Sequence, residues 1–421
     1  MARQIAASVP FLIVGAGLAG GRAAQALREE GAKGRIVLLG AERNRPYNRP
    51  PLSKDFLRGE TPRDGIFVHP PQWTAEHDVE LQTGRPATRL DLAARTVTLQ
   101  GGEALTFERL LLATGSEPRT LPIPGAEHEN VFLLRTVEDS ERIRQAAAGK
   151  GRAVMIGGGF IGAEVAASLR QMGLETTVIA REAVLWEHLF GAELSGVFQR
   201  KLQDRGVEVV TADMAARIEG QGRAERVVTA VGRTVECDLV VVGIGAAPRL
   251  QLAEGTPLRV EQGLVTDQFL QTSEPGIYAA GDIARFYSPL YERRLRVEHW
   301  DVAEKHGLLA GKNLAREAAG HPERRQAFDE PPYFFSDLFD LAMEYLGHNQ
   351  GHDGLVVRGD PNGPEFTGFY LRGGRLVAAL FVNRSGDVDP TRQLIQQRLQ
   401  VDDRVRRLLA DPASDLSALA S

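Results

Sequence analysis

Val14-Gly15-Ala16-Gly17-Leu18-Ala19-Gly20 and Ile156-Gly157-Gly158-Gly159-Phe160-Ile161-Gly162 have the same form, and the pair decides the fold. Each follows an apolar run (Phe11 to Val14; Ala153 to Ile156) and opens an Ala-rich helical pattern. Each is answered, 20 to 22 residues past its last glycine, by an acid beyond the next apolar run: Glu42 after Ile36 to Leu39, and Glu182 after Thr176 to Ile179. One GxGxxG alone is a weak signal; two, each between a strand and a helix and each with its acid, are specific. The first glycine admits the tight turn, the second lets the backbone approach a pyrophosphate, and the third lets helix and strand pack closely. The diphosphate then rests on unpaired N–H groups at a helix N-terminus, and the acid accepts ribose hydroxyls. One chain holding two dinucleotides is built to pass a hydride from one to the other.

At 421 residues the chain exceeds one core, so two or three domains are expected. Hydrophobic residues make up 43% and charged residues 25%, with a net charge of −5, which argues against a general nucleic-acid binder. The arginine clusters Arg293-Arg294-Leu295-Arg296 and Arg324-Arg325 read as solvated surface. Met1 to Pro10 shows no apolar leader core, and no run of about 18 apolar residues exists. A cytoplasmic protein without a membrane span is expected. Cys237 is the only cysteine, so there is no disulfide framework, CxxC motif or iron–sulfur ligand set, and no metal site is read. It precedes the apolar run Asp238 to Val242 and reads as a small packed side chain.

Along the chain, residues 11 to 39 read as strand, helix, strand, and Pro46, Pro50 and Pro51 forbid a regular helix in the connection that follows. Residues 85 to 112 alternate as a meander ending at Ala113-Thr114-Gly115. Pro118, Pro122 and Pro124 mark a crossing into a second βαβ unit, Gly151 to Arg205, and Gly245 to Pro248 a return. A helical stretch, Val297 to Ala319, precedes a linker, and the tail alternates apolar runs before charged helical segments. The expected fold is α/β: two Rossmann-like dinucleotide-binding domains, the first interrupted by the second, plus a small C-terminal α+β domain. The boundaries read as 1–118 and 248–325 for the first domain, 119–247 for the second and 326–421 for the third.

Four further stretches carry a resemblance: Pro46-Tyr47-Asn48-Arg49-Pro50-Pro51-Leu52-Ser53-Lys54, Ala113-Thr114-Gly115, Ala280-Gly281-Asp282 and Pro332-Tyr333-Phe334-Phe335-Ser336-Asp337. With them the chain resembles the FAD-dependent pyridine-nucleotide reductases, and within these the ferredoxin reductases of bacterial oxygenase systems; rubredoxin reductase, monodehydroascorbate reductase and apoptosis-inducing factor are related. The resemblance covers almost the whole chain. It implies that the first fingerprint (Gly15, Gly17, Leu18, Ala19, Gly20, with Glu42) holds FAD. The second (Gly157, Gly159, Phe160, Ile161, Gly162, with Glu182, Gly243 and Gly245) would hold the nicotinamide cofactor. Ala113, Thr114, Gly115, Gly281 and Asp282 fall to FAD, Asp282 taking a ribityl hydroxyl. Arg49 and Lys54 match positions near the FAD pyrophosphate and isoalloxazine. Lys54 is implied to pair with Glu164 beside flavin N5, where such a pair fixes the nicotinamide pocket, and these two are the candidate catalytic residues. The helix opening at Glu298, His299 and Trp300 would point its N-terminus at the flavin pyrimidine edge, where its dipole favours negative charge. Phe334 and Phe335 stand where the oxygenase reductases often carry tryptophans, and the stretch also resembles monodehydroascorbate reductase.

Glu182 disfavours a 2′-phosphate, while Arg181 beside it could accept one; NADH is expected, with NADPH tolerated. No cysteine pair is present to take electrons onward, so they are expected to leave the implied flavin directly. The implied partner is a separate ferredoxin-type iron–sulfur protein, or rubredoxin. Two alternatives stay open: a small organic radical or quinone as acceptor, and an NADH-sensing flavoprotein of the apoptosis-inducing-factor type. Whether the chain is a monomer or a dimer also stays open.

Overall fold

The structure is a computed structural model and describes residues 8–419. The leader question therefore falls largely on residues outside those described. The chain divides into two compact units: Met1–Asn48 with Ile66–Glu117 and Ala247–Pro332, and Arg49–Gly65 with Pro118–Ala246 and Tyr333–Ser421. No helix among the described residues is long and apolar enough to cross a membrane.

The first unit is built on parallel strands in the order Val79–Gln82, Ile36–Leu39, Val9–Val14, Ala104–Leu112 and Ile277–Ala279. Ile36–Leu39 is buried at every residue, as expected of a strand covered on both faces. Ala87–Asp91 and Thr96–Leu99 add the antiparallel meander. The core gathers Leu12, Val37, Phe107, Leu110 and Ile283.

Helix Leu18–Glu29 packs against helix Trp300–Ala318, and glycines set the separation. A Cβ at Gly307 would lie 2.3 Å from the Ala19 carbonyl oxygen, and one at Gly311 2.5 Å from that of Ala23. The later helix starts at Trp300, three residues after the expected point, because His299 is still extended (φ −103°, ψ 146°).

On that helix His306 is fully buried, edge-on to Phe286 at 4.7 Å and Phe328 at 4.5 Å. Burial pushes its imidazole down to about 3, against a small opposing pull from Asp282. The unfolded chain takes up this proton near pH 6.5, but the folded one does not until about pH 3. His306 therefore costs stability as pH falls below about 6.5, by roughly 1.4 kcal/mol per unit. The melting temperature of His306→Leu is expected to fall less steeply than that of wild type between pH 6.5 and 4.5. Parallel profiles would refute this origin.

The second unit carries five parallel strands in the order Val207–Val210, Glu175–Ile179, Arg152–Ile156, Leu239–Val242 and Val131–Leu133. Its core includes Val154, Ile179, Val227 and Val240. Cys237 packs in the same cluster, its thiol pushed up to about 12 by burial. The tail forms a five-stranded antiparallel sheet ordered Tyr333–Leu338, Leu341–Gly347, Arg375–Val382, Phe366–Arg372 and Gly354–Gly359, followed by helices Val388–Gln396 and Asp403–Ala410. The expected α/β class, with its C-terminal α+β portion, is the one observed.

The arginine clusters need correction. Arg293–Arg296 is a strand paired with Ala284–Ser288, with Leu295 in the core. Arg294 donates to the Thr266 carbonyl and Arg296 to Glu298. Arg325 lies over the Phe269 ring at 4.9 Å and donates to Gln271. Strand alternation and aromatic stacking tie down these long side chains; Arg324 alone keeps the exposure expected, at 70%.

Candidate functional site

Each fingerprint divides its glycines by task. Gly15 has φ +120°, and a Cβ there would lie 2.0 Å from the Ala113 carbonyl oxygen. Gly157 has φ +110° and would meet Gly243 at 2.3 Å. Only glycine fits either turn. The last glycines pack back on the first: a Cβ at Gly20 would be 1.9 Å from the Gly15 oxygen, and one at Gly162 2.0 Å from that of Gly157.

The middle glycines differ. A Cβ at Gly17 would meet nothing within 4 Å, and one at Gly159 only the Gly243 oxygen at 4.0 Å. These are the N-caps of helices Leu18–Glu29 and Phe160–Gln171, and neither helix carries an acid in its first turn. Open space in front of a helix N-terminus free of negative charge suits a diphosphate. At these glycines both cradles are compatible with the dinucleotides that the resemblance implied.

Around the first cradle, Val14, Ala113 and Ala280 lie on adjacent strand ends, with Ala113 N–H donating to Val14 and Ala280 N–H to Leu112. The Thr114 hydroxyl donates to the Arg249 carbonyl at 2.8 Å, and Arg249 N–H to Gly115 at 2.9 Å. Gly281 takes φ +73°, and Asp282, 8% exposed, accepts from the Ser116 hydroxyl. Glu42 accepts from the Tyr47 hydroxyl, which orients its carboxylate. Trp300 is half-buried, its indole N–H donating to Asn48 at 2.9 Å. His299 caps the helix, and Glu298 is exposed beside Arg296.

In the second unit Arg49 donates to the Arg135 carbonyl. Glu182 pairs with Arg181 at 3.8 Å, Arg181 being 78% exposed. Gly245, at φ +98°, accepts from Arg119 N–H. Ile161 is 45% exposed, while Phe160 meets Phe334 edge-on at 4.7 Å.

Lys54 and Glu164 come together, Nζ 3.4 Å from Oε1. The sequence did not reveal the rest of this cluster. Glu164, 6% exposed, accepts from Ser53 at 2.6 Å through Oε2 and from Ser336 at 2.7 Å through Oε1. Lys54 makes its shorter contact, 2.8 Å, to Asp337, and Nζ lies 4.7 Å from the centre of the Phe335 ring. Ser53, Ser336 and Asp337 sit within stretches already singled out, so their signal was present but unassigned. A buried carboxylate bonded by two hydroxyls and contacted by a cation can orient a polar ligand.

The profile of the pyridine nucleotide-disulphide oxidoreductase family matches residues 9–307, and that of the reductase C-terminal domain residues 333–420. Putidaredoxin reductase of Pseudomonas putida is 34% identical over 97% of each chain. The ferredoxin–NAD(+) reductase component of the anthranilate 1,2-dioxygenase system of Burkholderia cepacia is 37% identical over 97% of this chain and 98% of its own. The reductase in the crystal structure of the covalent putidaredoxin reductase–putidaredoxin complex superimposes with a TM-score of 0.91 at 33% identity over 98% of both chains. The chain belongs to the pyridine nucleotide-disulphide oxidoreductase family, whose members bind FAD and NAD(H), and carries the reductase C-terminal domain.

Proposed function

We propose that the chain is a FAD-dependent NADH reductase that delivers electrons to a small iron–sulfur protein of the ferredoxin type. The pair of open glycine cradles carries this reading, supported by likeness over nearly the whole chain to reductases named for ferredoxins. FAD would rest on Gly15, Gly17 and Gly20 with Glu42 and Asp282, and the nicotinamide dinucleotide on Gly157, Gly159 and Gly162 with Glu182. When bound, the flavin supplies two-electron uptake from NADH and release one electron at a time. The protein's part is to hold, orient and shield. Cys237 cannot relay electrons as a dithiol: it has no second cysteine and is buried. Glu182 supports NADH over NADPH, with the exposed Arg181 leaving NADPH tolerated. Cytoplasmic location is part of the same proposal.

The deciding experiment is NADH-dependent cytochrome c reduction with and without [2Fe–2S] ferredoxins. Stimulation by at least one is expected, with a higher kcat/KM for NADH than for NADPH. No stimulation by any ferredoxin or rubredoxin would overturn the acceptor. Reduction of a quinone or an organic radical instead would favour the second reading, to which Tyr333-Phe334-Phe335 lends support in place of the family's tryptophans.

A further inference from the structure

Strand Tyr333–Leu338 uses its two faces for two tasks. Phe334 and Ser336 face helix Phe160–Gln171: Phe334 touches Phe160, and Ser336 donates to Glu164. Phe335 and Asp337, on the other face, take Lys54. One ammonium, 12% exposed, thus lies between a buried carboxylate and a half-exposed one. The distances are unequal. At 2.8 Å Asp337 makes a charge-assisted hydrogen bond, while 3.4 Å to Glu164 is an ion contact beyond good hydrogen-bond length. Glu164 has no need of a closer approach, because Ser53 and Ser336 already donate to both of its oxygens.

We propose that Asp337 is a positioning residue that holds Lys54 off Glu164. The ammonium and the buried carboxylate are thereby presented as two separate groups to the nicotinamide dinucleotide. Without the Asp337 charge, Lys54 closes on Glu164, and each then satisfies the other rather than the ligand. This inference rests on the NADH-reductase reading. It differs from a plain surface salt bridge, whose loss moves little.

The test is Asp337→Asn and Asp337→Glu in the FAD-loaded protein, assayed with NADH and ferricyanide so that no protein acceptor enters. Asp337→Asn is expected to raise KM for NADH by roughly five- to tenfold with kcat within about twofold, the pattern of lost binding rather than lost chemistry. Asp337→Glu is expected to restore KM to within about twofold of wild type. Melting temperatures of both are expected to match wild type, Asp337 being about half exposed. An unchanged KM in Asp337→Asn overturns the positioning role. So does equal impairment of both variants, or a joint fall in kcat and melting temperature. If wild type reduces ferricyanide with NADH while Asp337→Asn behaves identically, only this inference falls. If NADH does not reduce the wild-type flavin at all, the reductase reading falls, and this inference with it.

Discussion

Gly17→Val is expected to yield a folded protein that emerges without flavin. The backbone at Gly17 is extended (φ −82°, ψ −166°), a region valine accepts, and the new side chain meets no protein atom within 4 Å of its Cβ. The loss of a favoured N-cap residue costs about 1 kcal/mol, too little to unfold the chain. What the isopropyl group fills is the space the diphosphate would occupy. FAD affinity should fall by at least about 100-fold, near 2.7 kcal/mol. Absorbance at the flavin band after desalting measures it, with circular dichroism to confirm the fold. A yellow, fully loaded Gly17→Val would show that the first cradle does not hold the FAD diphosphate. Gly15→Ala would be a poorer test, since its Cβ would strike the Ala113 carbonyl and damage the turn itself.

Gly159→Val is the counterpart, and its outcome should be the opposite in colour. Its backbone (φ −68°, ψ −179°) also accepts valine. This protein should purify yellow, reach full reduction with dithionite, and respond to NADH at least about 100-fold more slowly at low NADH, as kcat/KM. Wild-type rates with NADH would show that the second cradle does not take the nicotinamide dinucleotide. The two variants together assign the two fingerprints independently: one loses the cofactor, the other the reductant.

The glycine cradles were legible in sequence because each role is local: a turn, an approach and a packing contact, all within six residues. Their partners were legible only as separate motifs. Ala113 and Gly243 each belong to a stretch the sequence singles out, yet nothing in one dimension says that the Ala113 carbonyl closes over Gly15, or that of Gly243 over Gly157. The Lys54 cluster shows the limit more sharply. Ser336 and Asp337 reach Glu164 and Lys54 from 172 and 283 residues away. The hairpin that carries them was missed because its turn is Phe339-Asp340, with Phe339 at φ +60°. No Asn-Gly or Asp-Gly pair announces it. The arginine strand Arg293–Arg296 failed for a related reason: whether an arginine is solvated depends on which carbonyl or carboxylate tertiary structure brings beside it.

The glycine-spaced crossing of helix Leu18–Glu29 with helix Trp300–Ala318 also bears on how the chain is made. Ala19 and Ala23 have their docking partners in Gly307 and Gly311, about three quarters of the way along the 421 residues. At about 5–20 residues per second, a ribosome needs roughly 15 to 60 s to supply the roughly 290 residues between them. Throughout that interval the early helix offers a bare alanine face. The early segments of that compact unit must wait as unfinished guests of the translation machinery until Ala247–Pro332 has been made.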